Sequence, residues 1–322
     1  MFNLNYLELF ILNTIIYFDL FDYSLNLNEI YTNLFTGGME GGSFALAEIE
    51  DCLATSSKLK KFITTKRGFY FLRKKEEIIE TRLSRYALAE KKLKIAKRVI
   101  KILKYLPFIK LMAICNSLSY RNANQESDID LFIITSKNRI WLVRLFSILV
   151  IAVMGLRPPK NKVKDKICLS FFTTEENLDL SQVKITAEDI YLVFWLATLR
   201  PIYERDNFYE KFIEANSWFK KYLPNWQSLK MGYRFRVEDN KFSCFVWQVR
   251  EFIFGGFLGN WLESFCKKIQ MKFMSQKKKD QAIVGDKHVI ISDTMLKFHE
   301  NDRRLEYQDK FEKKRTSLLE NL

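Results

Sequence analysis

Asp128 and Asp130 stand two residues apart inside an apolar run, SDIDLFIIT, at 127–135. In a strand, residues i and i+2 point the same way, so both carboxylates share one face while Ile129 and Leu131 enter the opposite packing. Two ionised carboxylates side by side repel each other and resist burial unless a cation neutralises them. A divalent metal does this with hard oxygen ligands, and Mg²⁺ typically takes one or two carboxylates plus substrate phosphates. The pair therefore reads as a Mg²⁺ (or Mn²⁺) clamp for a triphosphate, with Asp128 and Asp130 as metal ligands and catalytic residues. The plainer alternative is a strand-edge pair satisfied by backbone amides or a lysine.

The residues just upstream fit the same purpose. The strand IKLMAICN ends near Cys115, and Asn116-Ser117 turn the chain into the next element. Asn tolerates left-handed backbone geometry almost as Gly does. A Ser hydroxyl and free amides at a turn that opens a helix make a phosphate cradle. Arg121, in the spacer, reads equally as a phosphate contact and as a solvated loop arginine. Asn116, Ser117 and Arg121 are thus the nucleotide-binding candidates. Lys164 and Lys166 read as surface residues. His288 and His299 are distant from the motif in sequence and receive no catalytic role. Trp195, Trp218, Trp226, Trp247 and Trp261 read as core rather than as a base-stacking platform.

The stretch NSLSYRNANQESDIDLFII, residues 116–134, resembles the signature of the polymerase-β-like nucleotidyltransferase superfamily. In that signature a strand leads to Gly-Ser, then about ten residues, then Asp-x-Asp within the next strand. Ser117 matches its Ser, and Asp128 and Asp130 match its two metal-binding acids. The likeness is close over 110–135 and extends to about 175. It implies an NTP substrate and transfer of a nucleoside monophosphate to an acceptor hydroxyl with release of pyrophosphate. The acceptor could be a small molecule, a protein or an RNA. Two departures stand out. Asn116 replaces the motif's Gly. On the later strand, KICLSFF, the alternate positions are Cys168, Ser170 and Phe172, where the family usually has a third carboxylate. Asp165 is the nearest substitute. Nucleotide binding without turnover is the alternative that this departure raises.

Around the motif, three helices and a hairpin at Lys66-Arg67-Gly68 resemble a winged-helix domain over 1–75. A Gly-rich break, TGGMEGGS (36–43), separates its second and third helices. A long charged helix connects over 76–106, a nucleotidyltransferase core spans 107–185, and a helical C-terminal region covers 186–322. Within the last region, SQKKKDQAIVGDKH (275–288) reads as a loop. The expected class is α+β, with a small mixed sheet flanked by helices.

Charge is unevenly placed. Residues 1–57 hold eight acids and no Lys or Arg, whereas 57–110 hold 18 basic and 4 acidic side chains and account for the whole +14. A basic stripe is an electrostatic footprint for a polyanion, which keeps nucleic-acid binding as a further alternative. The third helix, however, carries Glu48, Glu50 and Asp51, which suits duplex DNA poorly because phosphates repel carboxylates. Five scattered cysteines without a CxxC pair argue against a zinc site or disulfide framework, and point to a reducing cytoplasm. The N-terminus lacks signal-peptide features. The longest apolar run, LFSILVIAVMGL (145–156), is about half a dozen residues short of a membrane span and reads as a buried core helix. No membrane partner is expected.

Overall fold

Asn5 and Asn26 each accept a hydrogen bond from the amide three residues on, and Glu8 and Glu29 reach back to close two capping boxes. They fix the starts of α1 (Tyr6–Asp19) and α2 (Leu27–Thr32) in the computed structural model, which describes residues 4–39, 42–159, 163–228, 232–285 and 287–320. α3 (Leu46–Thr55) and the single turn α4 (Leu59–Phe62) follow. Part of the glycine-rich break, residues 40–41, lies outside the described residues, and Glu40 with it. Strands β1 (Ile63–Lys66) and β2 (Phe69–Leu72) pair antiparallel about Arg67-Gly68, both with positive φ (53° and 77°). That is the turn expected at this hairpin, since two left-handed residues match the twist of the flanking strands.

α5 (Ile78–Leu103) has 26 residues and is therefore about 39 Å long. Then come β3 (Ile109–Ile114), the single turn α6 (Asn116–Ser119), β4 (Ile129–Thr135), α7 (Ile140–Val153), β5 (Ile167–Thr174), α8 (Ile190–Thr198), β6 (Arg200–Glu204) and α9 (Phe208–Ala215). The chain ends through α10 (Lys241–Gly255), α11 (Phe257–Phe273), α12 (Gln276–Val284), β7 (Val289–Ile291), β8 (Met295–Phe298) and α13 (Arg304–Glu320). Six strands form one mixed sheet in the order β6-β3-β4-β5-β8-β7, in which only β4 and β5 run parallel. The class is α+β, as expected.

The sheet separates two apolar layers. Ile129, Leu131 and Ile133 pack with Leu93, Ala96 and Ile100 of α5 and with α7. Phe132 and Ile134 face the other way, onto α8, α9 and the N-terminal helices. Period-2 alternation thus puts Asp130 on the α8 side with Phe132. The same apolar layer runs without a break from Phe10, Ile11 and Ile15 of α1 to Phe194 of α8 and Phe311 of α13.

Four expectations change. The region 186–322 is not purely helical, because β6, β7 and β8 complete the large sheet. These strands are 3 to 5 residues long, too short for alternation to show. Residues 276–284, read as loop, form α12, whose lysines and glutamine are good helix formers. α7 is a face helix rather than a buried one: Leu149 and Val153 are exposed at 50% and 89%. Trp261 is exposed as well.

The charge asymmetry resolves inside the chain. Lys58 pairs with Glu8, Lys75 with Asp19, Arg82 with Glu29 and Arg85 with Asp22. Four of the 18 basic side chains thus answer half of the eight acids of the N-terminal segment.

The α10–α11 junction rests on Gly259. A Cβ there would lie 1.6 Å from the Phe254 carbonyl oxygen and 3.0 Å from Arg139, whereas a Cβ on Gly255 meets nothing. Gly259→Ala should lower the unfolding temperature by several degrees, corresponding to roughly 1–3 kcal/mol of overpacking. Gly255→Ala should leave it unchanged. Thermal unfolding of both variants checks this, and equal behaviour would contradict it.

Candidate functional site

β4 and β5 bring the site together. In their parallel register Asp130 faces Cys168 and Ile129 faces Ile167. Asp128, Asp130 and Cys168 each place one ligand atom within 4.8 Å of the others. They open into a cleft of about 700 Å³, within the usual size range of small-molecule sites. Its other walls come from α8 and from the segment that joins β8 to α13.

Asn116 does two jobs. Its φ of 57° is the left-handed conformation expected where the resembling signature has Gly. Its side-chain Nδ2 also donates to Asp130 Oδ2 at 2.8 Å, and the Tyr191 hydroxyl donates to its Oδ1 at 3.4 Å. A glycine could make the turn but could not hold the carboxylate. Ser117 is half-buried, but it does not line the cleft. α6, which it helps to open, is a single turn, so little dipole accumulates there. Arg121 turns away to α5, where it donates to the Tyr86 hydroxyl at 2.9 Å and pairs with Glu90 at 3.6 Å. The three nucleotide-binding candidates are therefore not gathered: only Asn116 is at the cleft.

Asp165 is not a third acid of this cluster. Its carboxylate bonds Lys92 Nζ at 2.6 Å. Lys92 is buried on α5 and also donates to the carbonyls of Ser127 (2.8 Å) and Gln125 (3.3 Å). One ammonium thus pins both the segment before β4 and the turn before β5. Lys164 pairs with Glu126, and Lys166 donates to the Gly155 carbonyl, both consistent with surface roles.

Burial pushes the Asp130 carboxyl up to about 7, and the adjacent Asp128 charge adds to it, while Asn116 and Cys168 pull partway back. Burial raises Asp128 too, opposed by its own backbone amide, Cys168 and Lys92. The Cys168 thiol is driven well above its ordinary value by burial and by both aspartates, so it stays protonated. Two hard oxygen donors that are costly to ionise together fit a hard divalent cation, with Cys168 as a neutral neighbour.

Several cleft residues were not legible from local sequence. His299 Nε2 lies 3.2 Å from Ser170 Oγ, so the histidine set aside for its distance in sequence stands beside the strand that carries Cys168. Burial, then Lys297, lowers His299 to about 3, which keeps the ring neutral. Lys297 and Arg304 both bond Asp302, and Arg304 also reaches Asp189 at 2.8 Å. This buried wall is internally neutralised. Arg303, at the rim, pairs with exposed Glu306. Tyr191 and Tyr307 stack at 5.6 Å, and Trp195 lines the cleft next to them. The strand alternation Cys168–Ser170 was the one sequence signal that pointed here.

Two predictions follow from this electrostatic arrangement. A carboxyl raised in the folded state takes up a proton on folding between about 4 and its folded value. Stability should therefore fall as pH rises through that window to about 7, and Asp130→Asn should flatten the decline and unfold at the higher temperature at pH 8. Millimolar Mg²⁺ or Mn²⁺ should restore the wild type at pH 8 and do less for the variant. Thermal scans from pH 5 to 8 read this out, and identical pH profiles would refute it. Separately, Lys92→Met leaves three acceptors without their donor. It should lower stability by about 2 kcal/mol in urea unfolding, whereas an unchanged midpoint would show that the ammonium pins nothing.

Set beside known proteins, the chain matches no family model, no curated protein and no solved structure.

Proposed function

We propose that the protein is a metal-dependent nucleotidyltransferase, moving a nucleoside monophosphate from an NTP to an acceptor hydroxyl and releasing pyrophosphate. The observation that carries the reading is the convergence of Asp128, just before β4, and Asp130, within it, on one cleft, with Asn116 fastened to Asp130. The order of elements supports it: strand, left-handed turn, Asp-x-Asp strand, helix, and a strand parallel to the second. The three N-terminal helices followed by a β1–β2 hairpin are in keeping with a winged-helix unit ahead of such a core.

In this reaction an acceptor oxygen bonds to the α-phosphorus while the bond to the pyrophosphate breaks, and catalysis is mainly positioning and charge neutralisation. Asp128 and Asp130 hold the cation, which when bound supplies the charge that both reacting oxygens need. Asn116 keeps Asp130 aimed. Tyr307 and Tyr191 give a nucleobase an aromatic wall. Arg303 is the cation best placed to turn to a phosphate, because its pairing with Glu306 is solvent-exposed and therefore weak.

A second reading has its own observation. Cys168 occupies the strand position where a third acid was expected, and the buried cations of the cleft are already paired. This favours a nucleotide-binding module without turnover. Nucleic-acid binding through 57–110 loses Lys58, Lys75, Arg82 and Arg85 to internal pairs.

Pyrophosphate release should be measured with each NTP, with Mg²⁺ or Mn²⁺ and a lysate-derived acceptor pool, followed by isolation of the labelled product. Asp128→Asn/Asp130→Asn should reduce release about a hundredfold or more. NTP binding without release in the wild type would select the second reading. Neither binding nor release from folded protein would overturn both.

A further inference from the structure

α10 and α11 bury one apolar side, through Phe254, Leu262, Cys266 and Met271, and carry a second that nothing covers. A surface helix normally buries its apolar stripe and shows its charges to water. Here both acids and Gln270 face in as well. Glu251 accepts from the Phe108 amide at 2.9 Å. Glu263 accepts from the amides of Trp141 (2.9 Å) and Leu142 (2.8 Å) at the start of α7. Buried Gln270 bonds the Trp141 carbonyl. Polar tethers hold α10 as well: Arg250 donates to the Tyr105 carbonyl and Arg139 to the Gly255 carbonyl. Only Ser243 of α10 is buried.

Most of the aromatic residues face out, Trp247 and Phe254 excepted. Phe252, Phe257 and Phe273 are 89%, 88% and 82% exposed, and Phe242, Phe245 and Trp261 are each more than half exposed. Phe242, Phe245, Val249 and Phe252 follow the three-and-four spacing of a single helix face. Trp261 and Phe265 stack on one another at 5.6 Å. An exposed aromatic surface of this kind marks an interaction site rather than scattered exposure.

Charge decides the occupant. Glu251 and Glu263 are the only acids on the two helices, and both are spent on inward contacts. The exposed charges Lys241, Lys268 and Lys272 have no acidic partner among the described residues. A second copy on this face would set lysine against lysine with no carboxylate to answer them. An anionic bilayer accepts both features: aromatic side chains at the headgroup boundary and lysines against lipid phosphates.

We propose that α10 and α11 form a docking surface for an anionic phospholipid membrane. The helices lie in the interfacial plane, since no helix among the described residues is long and apolar enough to cross a membrane. This revises the sequence-based expectation of no membrane partner, which addressed spanning segments alone. The inference is independent of what the cleft catalyses.

The test is co-sedimentation of the full chain with vesicles of phosphatidylcholine, alone or in a three-to-one mixture with phosphatidylglycerol. Sedimentation velocity without lipid accompanies it. Wild type should bind the mixed vesicles at least about tenfold more tightly than the neutral ones, since each lysine near an anionic surface contributes on the order of fivefold. Phe252→Glu/Phe257→Glu, at nearly fully exposed positions, should abolish binding while keeping the wild-type unfolding temperature. Lys268→Glu/Lys272→Glu should erase the preference for anionic lipid. Absent binding to mixed vesicles, or binding that the phenylalanine variant leaves unchanged, overturns the proposal. So does a lipid-free dimer that this variant disperses, which would assign the face to a second copy.

Discussion

Two carboxylates, Asp128 just before β4 and Asp130 within it, cannot both be charged, close and dry without help, and the structure around them is organised by that constraint. Asn116 donates to one oxygen of Asp130, and the neutral Cys168 thiol stands across the parallel strand pair. Lys92 approaches from behind, on the opposite side of the sheet, and fastens both segments that lead into the site. None of these neutralises the pair fully. What is left over is an uncompensated pair, and the proposed cation would answer it. The contrast with the opposite wall is instructive: Asp189, Arg304, Asp302 and Lys297 satisfy one another and form a rigid frame.

α5 links this chemistry to the rest of the chain. Its apolar side covers one face of the sheet, and its N-terminal half receives the acidic N-terminal segment through Glu29 and Asp22. A net charge of +14 therefore overstates how much free basic surface the molecule offers along 57–110. Charge counted along a sequence describes attraction to a partner only after the chain has answered its own charges.

What was legible in the sequence was local. The same-face placement of Asp128 and Asp130 follows from period 2, the left-handed Asn116 from the needs of a tight turn, and the β1–β2 hairpin from Arg67-Gly68. What was not legible depends on distant pairing. His299 meets Ser170 only because β8, 120-odd residues later in the chain, pairs with β5. Lys297, Arg304 and Tyr307 arrive by the same route. Ser117 and Arg121 sat at the right spacing, but spacing alone does not say which way a side chain leaves a turn. Trp261 and the apolar residues of α7 looked like core because composition reports apolarity, not whether anything covers it.

The apolar layer shared by α1, α8 and α13 also sets a schedule. Asp19, buried near the end of α1, is bonded by Lys314, 295 residues further along, and Thr36 closes onto Tyr222. At a synthesis rate of about 5–20 residues per second, a ribosome needs roughly 15–60 s to deliver that partner. Through that interval α1 has α2, α3 and β2 against it but lacks α13. A helix that is well buried in the finished molecule thus waits, half-covered, for its last partner.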